Sequence, residues 1–248
     1  MPQDKRLVVT RIVVDKIKRD CDGDPDKASR QGVYVEFIVP TIILQNEVEL
    51  SSTFFNVAHA VYPRSGRATV LIVPKAVALD CAKINRRHSY YDAVVVAETI
   101  CRRGDPECEE RAAGIAKTFD HFVVDSRIVS KLPPSIQTVC RASAAAAIGG
   151  ARLRRKFITP ISGFDDPSQL TFACAKAHRG GVLRVEKHGT CLFRVGHGGM
   201  TAGEITENAK NFIFALKKDH PHIWRYIADF LLVSPLTEPI RFMEANIK

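Results

Sequence analysis

The sequence predicts an α/β protein in which an α+β domain is split by an inserted domain with a parallel, Rossmann-like sheet. The first observation is a run of short apolar strands that alternate with helical segments in the middle of the chain. The second is an α+β pattern on both sides of that run, and the third is a glycine-rich block before a capped amphipathic helix. Uninterrupted apolar strands separated by helices indicate a sheet that is buried on both faces.

The N-terminal segment is predicted to contain one helix and two strands. Apolar residues at roughly helical spacing predict a helix over residues 7–18, which ends at an acidic turn, residues 20–26. A calcium loop would need glycine and glutamate where this turn has Pro25 and Gln31, so we interpret it as a plain loop. Residues 33–39 and 47–55 are rich in β-branched and aromatic residues and predict strands.

The middle segment is predicted to alternate strands and helices. Strands are expected at 69–73, 93–97 and 122–124, and helices at about 76–85, 105–117 and 127–132. We place the inserted domain at residues 68–157 and the split domain at residues 1–67 and 158–248, because a middle segment can fold alone if its ends lie close together. The insert carries 15 Lys and Arg against 9 Asp and Glu, whereas the flanking segments carry 21 against 18.

The C-terminal segment contains the clearest local signals. Residues 182–185 and 191–195 predict a hairpin with its turn at 187–189. Thr201 and Glu204 form a capping-box pattern, and the helix that follows has one apolar stripe made of Ile205, Ala209, Phe212, Ile213 and Leu216. Residues 234–239 follow the last expected strand, and we interpret them as a loop.

Composition indicates a folded protein with an acidic partner. The chain is 46% hydrophobic and has 36 Lys and Arg against 27 Asp and Glu, a net charge of +9. This excess favours nucleic acid, although solubility alone would also account for it. The seven cysteines are scattered without a CxxC pair, which favours reduced thiols. We expect no secretory signal and no membrane partner, because no apolar run approaches the ~20 residues that span a bilayer.

The sequence shows no motif of a catalytic or cofactor site. The turn after the first strand of the insert, Pro74-Lys75-Ala76, lacks the glycines of a dinucleotide-binding loop, and a P-loop pattern is also missing. The block at 196–200, Gly-His-Gly-Gly-Met, includes an HGG element as in some esterases, but the chain has no GxSxG. The histidines lack metal-ligand spacing. We therefore expect no enzyme, no metal and no cofactor.

Two basic clusters are candidate contacts for phosphate. The cluster at the predicted hairpin either lines a phosphate-contacting surface or forms a solvated face, and it comprises Arg179, Arg184, Lys187 and Arg194. The cluster at the predicted hinge follows a glycine pair and comprises Arg152, Arg154, Arg155 and Lys156. A phosphate clamp and a solvated junction are both compatible with the second cluster.

The chain resembles the ribosomal L-one family, the proteins of the mobile stalk of the large ribosomal subunit, over nearly its whole length. The resemblance rests on the block at 196–200, on Glu207 and Asn208 in the helix, on Trp224 and on the split-domain organisation. The segment at 119–128, with Leu132 and Pro133, is closer to the nucleolar ribosome-biogenesis factors that contain an L-one domain.

The resemblance implies the two-domain L-one fold and binding of ribosomal RNA mainly through the split domain. The implied contacts lie near the N-terminal strand, at the hairpin, in the glycine block and in the C-terminal segment; besides the hairpin cations they include Arg30, Glu36, His197, Met200, Ser234, Thr237 and Arg241. Ribosomal members carry Thr-Met-Gly where this chain has Pro-Leu-Thr-Glu-Pro at 235–239, and Gln31 and Gly32 replace an expected aromatic residue.

These observations predict a non-catalytic factor that binds ribosomal RNA or its precursor during ribosome biogenesis. It would act in rRNA processing or subunit assembly within nucleolar or nuclear ribonucleoprotein particles, with other assembly factors and ribosomal proteins as partners. The alternative is a structural stalk protein of cytosolic or mitochondrial ribosomes. Two other classes stay open: an enzyme that uses the sheet of the insert, and a protein-interaction module that has lost RNA binding, which Glu238 favours.

Overall fold

The chain divides into two compact units that share an α/β architecture. The computed structural model describes residues 4–45, 50, 53–63, 68–102, 104–148 and 156–245, with only the backbone of residues 142–148 and 187. The first unit comprises Met1–Ser65 and Arg179–Lys248, and the second comprises Gly66–His178. An antiparallel sheet organises the first unit and a parallel sheet organises the second.

The helices confirm most of the helical segments predicted from the sequence, and the segment expected to be helical at 127–132 is a 3-10 turn. The helices are α1 (Lys5–Asp20), α2 (Pro25–Arg30), α3 (Thr41–Gln45), α4 (Lys75–His88), α5 (Pro106–Thr118), α6 (Pro134–Ile148), α7 (Leu170–Lys176), α8 (Ala202–Asp219) and α9 (Pro221–Trp224). Turns of 3-10 helix lie at Ala97–Thr99, Ser126–Lys131, Pro167–Gln169 and Lys187–Gly189.

The strands also follow the predictions, except near the C-terminus and at residues 182–185, where two short strands of different sheets stand in place of one. They are β1 (Gly32–Ile38), β2 (Phe54–Asn56), β3 (Thr69–Val73), β4 (Ala93–Val96), β5 (His121–Asp125), β6 (Phe157–Ile161), β7 (Gly180–Val182), β8 (Arg184–Val185), β9 (Thr190–His197), β10 (Asp229–Ser234) and β11 (Thr237–Glu244). Of the strand expected at 47–55 the structure shows β2, and residues 46–49 and 51–52 lie outside the described part.

The interpretation of residues 234–239 as a loop was wrong. Ser234 ends β10, a turn covers only residues 235–236, and Thr237 begins β11. Pro239 lies in β11, which is the outer strand of its sheet, where a missing N–H need not break the ladder. The ladder is irregular there, between the pair of Ser234 with Thr237 and the pair of Leu232 with Ile240.

The first unit is built on a five-stranded antiparallel sheet with the strand order β11-β10-β1-β9-β8. Helices α1 and α8 pack on one face, where β1 buries Val33, Val35 and Phe37. Phe193 of β9 and Phe212 of α8 stack in this core, with their ring centroids 4.1 Å apart and their planes at 8°. Strands β2 and β7 form a separate two-stranded sheet.

The glycine block at 196–200 holds the end of β9 close to its neighbours. A Cβ atom on Gly196 would lie 2.7 Å from Sδ of Met200, and one on Gly198 would lie 2.4 Å from Cγ2 of Ile17. The next residues start α8 with a capping box, in which Thr201 Oγ1 accepts from the Glu204 N–H and the Glu204 carboxylate accepts from the Thr201 N–H. The block is therefore a packing element, because larger residues do not fit.

Asn208 ties α8 to two other parts of the first unit. Its fully buried side-chain amide donates to the carbonyl oxygens of Val195, at 2.8 Å, and of His59, at 3.1 Å. Its Oδ1 accepts from the His59 N–H at 2.8 Å. Three hydrogen bonds in a buried position make this side chain hard to replace.

The second unit contains a four-stranded parallel sheet with the order β4-β3-β5-β6. Strand β6 pairs with β5 along its whole length, and α7 packs on α4. Residues 158–178 therefore belong to the parallel-sheet unit, and the boundary predicted at 157/158 lies instead at His178. The sequence suggested an earlier boundary because the Gly149–Gly150 pair interrupts the pattern before β6.

We expect Asn208→Ala to lower the free energy of unfolding by about 2–4 kcal/mol, because it removes the partner of one buried and two partly buried backbone groups. Urea denaturation followed by tryptophan fluorescence would measure this, since Trp224 lies in the same unit. Glu207→Ala is the matched control: its exposed carboxylate contacts His59 Nε2 at 2.8 Å and should contribute less than about 1 kcal/mol. Equal effects of the two substitutions would contradict the assignment.

Candidate nucleic-acid interface

The sheet of the first unit has a second face, called here the open face, that points away from α1 and α8. Its side chains alternate with the buried ones and are half-buried or exposed. The strand register places one residue from each strand in a single row: Arg184, Leu192, Glu36, Leu231 and Arg241. Three of the residues predicted to contact RNA therefore lie in one row across the sheet.

Carboxylates accompany the arginines at both ends of this row. Arg184 pairs with Glu186, and Arg241 pairs with Asp229 at 3.3 Å and with Glu244 at 2.9 Å. The Arg241 side chain is still 61% exposed. Exposed ion pairs of this kind contribute little to stability, so either guanidinium can exchange its carboxylate for another anion.

Glu36, at the centre of the row, has a carboxyl group with a raised pKa. Burial and the nearby charge of Glu186 raise the pKa of its carboxyl group above the ordinary value. A carboxylate repels phosphate, but it accepts hydrogen bonds from the amino groups of bases. The centre of the row therefore differs chemically from its ends.

Arg194 occupies the neighbouring row, opposite Tyr34 of β1. Its guanidinium lies over the ring of Tyr62, with Cζ 4.7 Å from the centroid, and 5.9 Å from the centroid of Tyr34. Its Nε donates to the carbonyl oxygen of Gly196 at 3.2 Å. These contacts hold a cation in a fixed position beside two aromatic rings. Tyr34 and Tyr62 were missed in the sequence, although the period-two pattern of β1 places Tyr34 on the same face as Glu36.

Two buried hydroxyl groups flank the turn between β10 and β11. Ser234 Oγ and Thr237 Oγ1 are buried, and within the described part of the chain neither has a hydrogen-bond partner. The two residues face each other across the ladder. A buried polar group without a partner costs free energy, and a ligand could reach this pair only if the turn changed its conformation.

An apolar cleft lies at one end of the open face. It has a volume of about 690 Å³ and is lined by Ile38, Ile42, Tyr226, Asp229 and Leu231 among others. Ile38 and Ile42 are 59% and 68% exposed, and Tyr226 is 49% exposed. Sequence reasoning missed the cleft, because α3, β1 and the segment before β10 meet only in the folded chain.

The structure gives His197 and Met200 a supporting role. Met200 is only 7% exposed and packs in the core of the first unit, so its side chain is not available to RNA. Burial and the charge of Arg194 lower the pKa of His197 to about 4, and its Nδ1 accepts from the Gly199 N–H at 3.2 Å. His197 is therefore neutral at physiological pH and holds the turn of the glycine block.

The other cations predicted to contact RNA, at the N-terminal strand and at the hairpin, are more dispersed. Arg30 is exposed at the end of α2, two residues before β1. Arg179 is also exposed, but it precedes β7, which belongs to the two-stranded sheet and not to the open face. Lys187 lies in the turn between β8 and β9, and its side chain is outside the described part.

The basic run at the predicted hinge is not a uniform cluster. Arg152, Arg154 and Arg155 lie outside the described residues. Lys156 is bound within the protein, because its Nζ donates to the carbonyl oxygens of Ala116, Lys117 and Phe119 at 2.7–2.9 Å. These three bonds take up the donors of the ammonium group, so the structure does not favour the predicted phosphate contact at this lysine. The end of α5 has carbonyl groups without intrahelical partners and carries a partial negative charge. The ammonium group of Lys156 donates hydrogen bonds to these carbonyl groups and compensates the charge.

The parallel sheet of the second unit has a carboxylate where a dinucleotide fold would bind phosphate. The start of α4 follows β3, and the Lys75 N–H donates to Glu98 Oε2 at 2.9 Å. Glu98 comes directly after β4, the neighbour of β3. An anion from the chain itself therefore occupies part of the helix start that would attract a phosphate.

Comparisons with known proteins add no relative: no protein-family model matches the chain, and a search of curated proteins finds no match. Among the described residues, no group of three or more His, Cys, Asp and Glu side chains is arranged to hold a metal ion. None of the described helices has the length and apolar character needed to cross a membrane.

We expect the stability of the protein to fall as the pH drops from about 6.5 to about 4, the ordinary and the lowered pKa of His197. In this window the unfolded chain binds a proton that the folded chain does not, so acid favours unfolding, by about 1–3 kcal/mol in total. His197→Asn keeps an acceptor for the Gly199 N–H without titrating, so its unfolding free energy should depend less on pH. His222→Asn, at an exposed position, is the control, and an unchanged pH slope in His197→Asn would contradict the role.

We expect Lys156→Met to destabilise the second unit by about 1–3 kcal/mol, because three hydrogen bonds to a charged group are lost at the end of α5. Hydrogen exchange of the amides in α5 would locate the effect. Lys117→Met removes an exposed cation from the same helix turn and should change stability by less than about 0.5 kcal/mol. Loss of RNA affinity in Lys156→Met with unchanged exchange rates would restore the phosphate-clamp hypothesis.

Proposed function

We propose that the first unit binds RNA on its open face and that the protein is a non-catalytic factor in ribosome biogenesis. The observation that supports this best is the row from Arg184 to Arg241, with Arg194 and Tyr34 in the next row. Five strands at a spacing of ~4.8 Å give the row a length of about 19 Å. Its cationic ends, and its middle of one carboxylate between two leucines, suit a nucleic-acid strand with phosphates at the arginines and bases over the middle.

The residues of the middle offer specific contacts to unpaired bases. Leu192 and Leu231 flank Glu36 and provide apolar surface, and Tyr34 provides a ring for stacking. The Glu36 carboxylate can accept from base amino groups, and Arg194 can contact a phosphate from its fixed position. Single-stranded or looped RNA exposes such base edges, whereas a regular RNA helix hides most of them.

The hydroxyl groups of Ser234 and Thr237, which the resemblance implied as RNA contacts, do not add to this proposal. Ser234 alternates with Phe230 and Leu232 on the buried side of β10, and both hydroxyl oxygens are buried. RNA on the open face would not reach them, so the two contacts stay a prediction from the resemblance.

The assignment to ribosome biogenesis comes from the resemblance to the L-one family. An α+β unit split by a parallel-sheet unit agrees with the two-domain L-one fold, which we propose for this chain. Its RNA would be ribosomal RNA or its precursor, bound in nucleolar or nuclear particles with assembly factors and ribosomal proteins. A structural stalk protein of cytosolic or mitochondrial ribosomes is the alternative within the same family.

The apolar cleft favours a second candidate function, a module for protein interaction. Exposed apolar patches beside polar surface often bind proteins, and Ile38, Ile42 and Tyr226 form such a patch. Copurification with assembly factors, without any RNA crosslink to the tagged protein, would favour this candidate over RNA binding.

We expect the triple substitution of Arg184, Arg194 and Arg241 by glutamate to weaken RNA binding strongly and to reduce the slope of log affinity against log salt by about 2–3. Titration of a fluorescent ribosomal RNA fragment with the full chain at several salt concentrations would measure both quantities. The matched control reverses three exposed cations of α1 and α8, namely Lys5, Arg11 and Lys218. Equal losses in the two triple variants would show that net charge, and not the open face, determines binding.

The biogenesis role is tested by sedimentation of the tagged protein from cell extract. We expect it to migrate with precursor particles and to leave them after the triple substitution, because the open face anchors it. Migration with translating ribosomes would favour the stalk alternative and overturn the assembly role.

A further inference from the structure

The second unit has a cluster of rings at its surface, called here the ring ladder, made of His88, Tyr90 and His178. The rings of His88 and Tyr90 stack with centroids 5.1 Å apart and planes at 11°. The ring of His178 contacts the ring of Tyr90, with their centroids 5.6 Å apart and their planes at 45°. His88 is exposed and Tyr90 is half-buried, so the ladder reaches from the protein into solvent at the His88 end.

The ladder is held by a rigid base. The side-chain amide of Asn85 donates to the carbonyl oxygen of Tyr91 and accepts from its N–H, both at 2.9 Å. The buried Tyr91 hydroxyl donates to the carbonyl oxygen of Cys174 at 2.6 Å, which links the turn after α4 to α7. Between Asn85 and Tyr91, Ser89 adopts a left-handed backbone conformation, with φ of 52°. A turn fixed at both ends presents its rings at little cost in conformational entropy.

Positive charge accompanies the exposed end of the ladder. Arg86 and Arg87 precede His88 in the last turn of α4, and both are exposed. Within the described part of the chain neither forms an ion pair with a carboxylate. This differs from Arg184 and Arg241 of the open face, which are both paired. Cations at a helix end stabilise the helix, but that role alone does not require the stacked rings beside them.

We propose that Arg86, Arg87 and the ring ladder form a second RNA site, in which an unpaired base of single-stranded RNA stacks on the exposed His88 ring and continues its stack on Tyr90. Bases of any identity stack on flat rings, and the arginines contact the phosphates on either side of the stacked base. An acidic peptide would use the arginines but gain little from the rings. The site lies wholly in the second unit and shares no residue with the open face, so the two proposals can fail separately.

The first test maps contacts on the full chain. A uridine 12-mer is crosslinked by ultraviolet light, the protein is digested with trypsin, and the peptide of residues 88–102, which begins after Arg87, is sequenced by mass spectrometry. We expect a crosslink at His88 or Tyr90. Crosslinks confined to the first unit would overturn the proposal without affecting the open face.

The second test measures affinity for the 12-mer by fluorescence anisotropy in the triple variant of the open face, so that the second site dominates. We expect Tyr90→Ala to weaken binding about tenfold, and Tyr90→Phe, which keeps the ring, to bind as before. His88→Ala, at an exposed position, repeats the test should Tyr90→Ala fail to fold. Phe172→Ala is the control, because it removes another exposed ring from the same unit.

The third test asks whether Arg86 and Arg87 contact phosphate or have a purely structural role. Both are substituted with glutamine. We expect the salt slope to fall by about 1.4, the value for two phosphate contacts on a single strand. Lys117→Gln removes a cation from the last turn of α5 and should leave the slope unchanged. Two further outcomes would overturn the proposal: a 12-base-pair RNA duplex that binds as tightly as the single strand, or polyglutamate that competes as well as RNA.

Discussion

The packing of α1 and α8 on one side of the five-stranded sheet determines which face of that sheet stays uncovered in the first unit. Phe193 and Phe212 stack in this core, and the glycines at 196 and 198 let β9 approach the helices closely. Every second residue of β1, β9 and β10 is thereby buried, and the residues between them must point to the other side. Tyr34, Glu36 and Arg194 owe their common direction on the open face to this alternation.

The structure separates cations that look alike in the sequence. Lys156 belongs to a conspicuous basic run, yet its ammonium group satisfies the carbonyl oxygens at the end of α5. Arg194 is isolated in the sequence, yet two tyrosine rings and a carbonyl oxygen fix it on the open face. Net charge alone therefore does not identify a binding surface, because the surroundings of each cation decide whether it is available to a partner.

Periodicity predicted the helices and strands well, because the stripe of α8 and the apolar strands of the second unit are local patterns. The errors in the strands and in the domain boundary come from long-range pairing. Strand β6 belongs to the parallel sheet through its ladder with β5, and β11 is a strand through its ladder with β10. The candidate residues Glu36, Arg184 and Arg241 could be proposed singly, but their common row depends on the register of five strands. Tyr62 meets Arg194 only in the folded chain.

The split of the first unit has a consequence for the order of events during synthesis. Both neighbours of β1 in the sheet, β9 and β10, come from the segment after the second unit. The second unit is continuous in the chain and can complete its sheet while the first unit still lacks most of its five strands. A nascent chain therefore gains its open face last, after β11 has left the ribosome that makes it. The second unit would therefore finish folding before the first, although the first unit begins earlier in the sequence.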